Sequence, residues 1–306
     1  NNYWDITLTG QTNCYNQSHV PTNTGCTSTN NEERRYFRAN GIPFTQLGFD
    51  GNWKSLLNDH PIFAWQETPP QNDPYKITDC TELQNMNQDL NGNYTLENDI
   101  DCAGTINWNN GAGFEPIVAF TGTLLGNNHT INDLFINRPT ESQVGLFKSI
   151  QNAKITKITL ENANITGSTD VGTIAGRSTT STLENISITG NIHSTSTTQL
   201  TRTGGIIGYA TVGNTQISYS SFNGTVTSNG GAVGGIVGVL DGGTIIGSHT
   251  TGTITGAHNY AGGITSYVNW TSSITDSYST ASVTGRKYVG GLVGTIDKEG
   301  TNAIIN

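Results

Sequence analysis

The chain's six histidines, His19, His60, His129, His193, His249 and His258, are scattered, and none stands in H-E-x-x-H. In that pattern two imidazoles one helical turn apart hold zinc and the glutamate acts as base, so zinc peptidase chemistry is not expected from these residues. No serine sits in G-x-S-x-G, which leaves a serine triad without support. Pectate-lyase-like or glycosidase chemistry needs carboxylates converging on one groove. The repeating part of the chain offers few: Glu161, Asp170, Glu184, Asp241 and Asp276. Aligning the repeats sets Asp276 opposite Gly247, so these acids do not form a column. Asp170 with Arg177 is the close acid/base pair, and it reads as a solvated loop pair. Asp99 and Asp101, beside Cys102, could hold a structural calcium or simply cap a turn. No other cofactor is implied, and the residues point away from an enzyme.

Cysteine supplies a different chemistry. Cys14 with Cys26, and Cys80 with Cys102, form two close pairs, none with zinc-site spacing. In a Thr/Asn-rich, Lys-poor chain this predicts local disulfides and an oxidising compartment. The first residues, Asn1-Asn2-Tyr3, fit a processed secreted protein, and no apolar run is long enough to span a bilayer. The net charge of −9 argues against a nucleic-acid partner. Contact chemistry is concentrated in the non-repeating first 74 residues, in Trp4, Trp53, Trp65, Arg34, Arg35 and Arg38. Indole faces and guanidinium groups suit partner side chains and sugars. The competing reading is that the tryptophans form a small core.

What must position these groups is a repeat. Six times the chain returns to a Gly-apolar-apolar core, at Gly145, Gly172, Gly205, Gly235, Gly263 and Gly291, in steps of 27, 33, 30, 28 and 28 residues. A period of this size is one coil of a solenoid. Between the glycines, alternating small polar and β-branched residues suit short strands with one face inward. Paired glycines suit corners that need positive φ or close backbone approach. Pro69-Pro70-Gln71-Asn72-Asp73-Pro74 reads as a linker, which divides the chain into an aromatic-rich domain over 1–74 and a solenoid over 75–306. A short helical segment around Leu83–Leu90 is placed to cover the open end of the stack. The fold class expected is all-β: a right-handed parallel β-solenoid with a small disulfide-containing N-terminal domain.

Gly291-Leu292-Val293-Gly294, Gly235-Ile236-Val237-Gly238 and Gly205-Ile206-Ile207-Gly208 resemble the GLUG repeat of large bacterial surface and secreted proteins, and Ser277–Gly285 resembles its lead-in. The copies at Leu146-Phe147 and Thr173 depart from that pattern. Thr9-Gly10-Gln11-Thr12-Asn13-Cys14-Tyr15 is similar to the opening of a domain typified by the C-terminal domain of a Legionella collagen-like adhesin. These resemblances imply a secreted or cell-surface location and accompany adhesins, autotransporter-like passengers and some peptidases.

Aligned coils also place Thr166, His193, Thr227, Thr255 and Thr284 in one row, and Asn164, Asn191, Thr225, Thr253 and Ser282 in another. Outward polar ladders of this kind stabilise stacked coils by cross-strand contacts. They also resemble the water-ordering faces of ice-binding solenoids. The last residues, Glu299–Asn306, match the start of a further coil, which exposes strand edges and suggests head-to-tail self-association. The function expected from all this is structural and adhesive: a rigid stalk or filament subunit meeting host, matrix or glycan surfaces. A polysaccharide-binding or polysaccharide-degrading β-helix is the alternative, and ice binding a third.

Overall fold

Register decides this fold. In the computed structural model, strand Thr123–Asn132 pairs in parallel with Lys154–Gly167, and that strand with Thr182–Ser194. The pairing continues through Thr215–Ser218, Gly243–Ile246 and Ser273–Thr275. Residues 74–297 and 304–306 are described in full; of residues 1–73 only the backbone of a few short strands is described. Pro74–Asn306 form one compact unit, a parallel β-solenoid whose coils feed sheets of 15, six and four strands.

A side-chain period of two in each strand turns the sequence alternation into columns. Tyr94, Leu124, Ile155, Leu183, Ile217, Ile245 and Ile274 occupy successive coils at one register position, all buried. Ile136, Ile165, Ile192, Val226 and Ile254 form a second buried column. The first coils are filled by rings, with Phe120 stacked on Phe147 at 4.7 Å between centroids. Phe147 holds the position that Ala175, Ile207 and Val237 take later in the stack.

The glycine pairs serve close approach. A Cβ on Gly205, Gly235 or Gly263 would lie 2.2, 2.2 and 2.0 Å from the carbonyl oxygen of Gly235, Gly263 and Gly291, respectively. Left-handed backbone at one corner is supplied mostly by other residues: Asn128, Lys157, Asn185, Tyr219 and Asp276, with Gly247 among them. Asp276 thus does sit opposite Gly247.

The N-terminal end is closed by helix Cys80–Gln84 and the 3-10 turn Asn85–Gln88. Asp79 caps the helix, its Oδ1 accepting from Glu82 N at 2.8 Å. Leu83 and Met86 point into the core. Gln84 exchanges two hydrogen bonds of 2.8 Å with the backbone of Glu115, and Asn87 accepts from Val118 N at 3.2 Å. Side-chain amides here stand in for the strand that would otherwise pair with this edge. A disulfide joins Cys80 to Cys102 across a separation of 22 residues and ties the cap to the end of strand Ile100–Asp101. It therefore belongs to the solenoid's own first coils. The other cysteine pair, Cys14 and Cys26, lies outside the residues whose side chains are described.

Candidate functional site

Two strand columns meet on one side of the stack. Along Ala175–Thr179, Ile207–Ala210, Val237–Asp241 and Thr265–Asn269 the outward register position is held by Arg177, Tyr209, Val239 and Tyr267. Along Arg202–Gly204, Ala232–Gly234, Tyr260–Gly262 and Tyr288–Gly290 it is held by Arg202, Ala232, Tyr260 and Tyr288. The glycines between these strands bring the two columns into contact. The Arg202 guanidinium lies 3.9 Å from the Tyr209 ring centroid, and Tyr260 meets Tyr267 edge to face at 5.8 Å and 87°. Tyr260 and Tyr288 stack in parallel at 5.1 Å.

Asp170 anchors the lower end of this face. Its turn has φ of 52°, and its carboxylate is 2% exposed, accepting from Arg177 Nε at 2.6 Å and Arg202 Nη1 at 2.8 Å. The expectation of a solvated Asp170–Arg177 pair is thereby corrected. Arg202, brought from the next coil by register, closes over the acid and shuts water out. Higher up, the Tyr209 hydroxyl donates to Asp241 Oδ2 at 2.5 Å and that of Tyr267 to Asp297 Oδ2 at 2.9 Å. Burial first, and then the Asp241 carboxylate, push the Tyr209 phenol up to about 12. Asp241 Oδ1 is buried and receives no donor. The face thus gathers two guanidinium groups, four rings and oriented carboxylates.

Arg202 and the four tyrosines are absent from the residues picked out by sequence. Their spacing was nonetheless available: Tyr209 and Tyr267 each fall four residues after the second glycine of a pair, and Arg202, Tyr260 and Tyr288 two before the first. The other expected sites are dispersed. Asp99 Oδ1 accepts from Thr130 N at 2.8 Å and faces His129 Nδ1 at 3.2 Å. The Thr130 amide, and then His129, hold its carboxyl below the ordinary range. Asp101 Oδ1 accepts from Ala103 N at 2.8 Å. Both acids thus hold turns. Thr166, Thr227, Thr255 and Thr284 share one register column, and Thr225, Thr253 and Ser282 another. His193 interrupts the first, its Nδ1 2.7 Å from Thr227 Oγ1. The side chains of Trp4, Trp53, Trp65, Arg34, Arg35 and Arg38 lie outside the described residues.

Part of the chain is similar to IgA1-specific proteases. Residues 58–190 match the family model for the M26 IgA1-specific metallo-endopeptidase N-terminal region. The chain is 28% identical over 235 residues to an immunoglobulin A1 protease of Streptococcus sanguinis, and 43% identical over 109 residues to halomucin of Haloquadratum walsbyi. These alignments take in 72% and 34% of this chain, but 12% and 1% of the relatives. Among solved structures, a protein of Bacteroides ovatus provisionally named an immunoglobulin A1 protease aligns with a TM-score of 0.51 at 20% identity. That alignment covers 76% of this chain and 78% of the other. A structure named IgA1 protease aligns with a TM-score of 0.55 at 19% identity, over 80% of this chain and 20% of that one. At such identities the structures show a shared fold.

These matches overturn two expectations. The chain was expected to be no enzyme, and a structural or adhesive stalk or filament subunit; the family model and the streptococcal relative point to an endopeptidase instead. Nothing in them supports the polysaccharide or ice-binding readings. The metal that the family's description implies finds no donor set among the described residues, where no three His, Cys, Asp or Glu side chains converge. His249, for example, stacks on the Tyr278 ring at 5.0 Å. No helix of the described residues is long and apolar enough to cross a membrane.

Proposed function

We propose that this chain is a non-catalytic solenoid region of a secreted metallo-endopeptidase of the IgA1-protease type, and that it holds the protein substrate for a catalytic part. The match of residues 58–190 to the N-terminal region model carries this reading. It is supported by the streptococcal relative, whose alignment runs over most of the coils. The surface assigned to substrate is the Arg177–Arg202–Tyr209–Tyr260–Tyr267 face. Rings and guanidinium groups carry most of the energy in protein recognition, and here packing already fixes their rotamers, so little side-chain entropy is lost on contact. The outward Thr columns are assigned to coil stabilisation.

The test is to immobilise the 306-residue chain and present human IgA1, with IgG as control. The expected result is that IgA1 is retained, IgG passes through, and the IgA1 heavy chain stays intact on a gel after prolonged incubation. Cleavage of IgA1 by this chain alone would refute the non-catalytic assignment. Failure to retain IgA1 would refute the substrate-holding one.

A further inference from the structure

Asparagine followed two residues on by serine or threonine is the acceptor pattern for N-linked oligosaccharide. Among the described residues it begins at Asn93, Asn128, Asn164, Asn185, Asn223 and Asn269. A composition so rich in Asn and Thr supplies the pattern freely, and the fold decides where it can be used. Five of the six lie on the 15-stranded sheet, one in each of five successive coils. Their strands are Asn93–Leu96, Thr123–Asn132, Lys154–Gly167, Thr182–Ser194 and Ser221–Ser228. All five asparagines are exposed. Asn128 and Asn185, with φ of 65° and 55°, stand two coils apart in one corner column, separated by Lys157. Asn164 is in register with Asn191 and through it with Thr225, two residues past Asn223, so Asn164 and Asn223 share one outward face. None of the five carboxamides bonds to another group among the described residues. The neighbouring Asn127, by contrast, spends its Nδ2 on Thr95 Oγ1 at 2.7 Å and Leu96 O at 3.1 Å. The sixth, Asn269, is half-buried on the six-stranded sheet and turns its Oδ1 back to Trp270 N at 2.8 Å.

We infer that Asn93, Asn128, Asn164, Asn185 and Asn223 are acceptors for N-linked oligosaccharide, and that the sugar clothes the 15-stranded sheet. The donor is a polyprenyl-diphosphate-linked oligosaccharide, delivered by a membrane transferase. The Nδ2–C1 bond forms, the C1–O bond to the diphosphate breaks, and one Nδ2 proton leaves to a base of that enzyme. A bulky, hydrated sugar is compatible with a packed coil only where the amide nitrogen faces water and holds no bond of the fold. The five meet both conditions. One acceptor per coil also spaces the chains: Asn128 and Asn185 are separated by two coil rises, about 10 Å. Thr95 is 4% exposed, with its hydroxyl engaged by Asn127, so the closed coil hides that part of the pattern. Transfer therefore precedes closure of the coil. The Cys80–Cys102 disulfide fits the same route, since such bonds persist in oxidising compartments outside the cytosol. Apart from Asn269, the described strands of the six- and four-stranded sheets, which bear the Arg–Tyr face, hold no acceptor pattern. Sugar on the larger sheet leaves that face bare. This inference concerns a different sheet and stands apart from the IgA1 reading.

The test takes the whole chain as its native cell secretes it and maps intact glycopeptides by mass spectrometry. The expected result is sugar mass on most of the five asparagines. Ser187→Ala, produced in the same cell, removes an exposed hydroxyl two residues past Asn185 and leaves Asn185 itself in place. Occupancy at Asn185 is expected to fall to background in that variant, while the other positions keep their sugar. Asn185→Gln is the companion, which should lose the same single step of mobility on a gel. Bare asparagine at most of the five positions in the parent would overturn the inference. So would sugar retained at Asn185 in Ser187→Ala, since attachment would then not follow the acceptor pattern.

Discussion

Asp170→Asn is the sharpest probe of how the coils are locked together. The carboxylate is 2% exposed and takes two charge-assisted hydrogen bonds, of 2.6 Å from Arg177, seven residues on, and of 2.8 Å from Arg202, 32 residues on in the next coil. Asparagine keeps the shape and tolerates the φ of 52°, so backbone strain is not added. What is lost is the charge, and one amide hydrogen is turned toward a guanidinium. Removing one partner of a buried ion pair costs about 3–5 kcal/mol. Arg177 is 41% exposed and regains water, whereas Arg202 is 21% exposed and is left stranded. The lower end, about 3 kcal/mol, is therefore expected. Urea unfolding followed by far-ultraviolet circular dichroism reads this as a shift in midpoint at constant slope. Adding Arg202→Met removes the stranded charge and should recover about 1 kcal/mol or more of the loss. A variant within about 0.5 kcal/mol of the parent, or a double variant that is simply additive, would refute the reasoning.

Three other outcomes follow from the same structure. Gly224 has φ of 156° and a Cβ there would meet the Gly190 carbonyl oxygen at 2.0 Å, while Gly104 has open space. Thermal melts should therefore show Gly224→Ala destabilised by more than about 2 kcal/mol and Gly104→Ala within about 0.5 kcal/mol of the parent. Replacing Cys80 and Cys102 by serine opens a loop of 22 residues and should cost about 3 kcal/mol, with hydrogen exchange rising first in the cap helix. The Tyr209 phenol is raised to about 12 in the folded state from an ordinary value of 10.0. The unfolded chain thus loses that proton first, and this contribution, complete below pH 10, is lost as pH rises through about 12. Tyr94 and Tyr267 are raised as well, so absorbance titration at 295 nm should show several late-titrating tyrosines, with an amplitude smaller by one tyrosine in Tyr209→Phe.

Much of the architecture is legible in the residues because a solenoid repeats its reasons. The Gly-apolar-apolar spacing forces one coil per period, and the alternation in Lys154–Gly167 can bury Ile155, Ile158, Leu160 and Ile165 in one way only. The corners were less legible. Lys157 and Tyr219 adopt left-handed backbone that composition would assign to glycine or asparagine, because stacking on neighbouring corners overrides local preference. The Arg–Tyr face was missed for a different reason. Arg202 and Asp170 are far apart in sequence and meet only through register between coils, so a search by local motif sees Asp170–Arg177 alone. The functional class was misread because the repeats carry architecture, and the absence of H-E-x-x-H speaks only for the residues in which it was sought.

Hydrogen–deuterium exchange of the chain with and without IgA1 tests the central claim most directly. The account predicts that IgA1 slows exchange in strands Arg202–Gly204, Ile207–Ala210, Tyr260–Gly262 and Thr265–Asn269, with the Thr-lined strand His249–Gly256 unchanged. Unaltered exchange throughout, or protection confined to the Thr-lined strands, would contradict it.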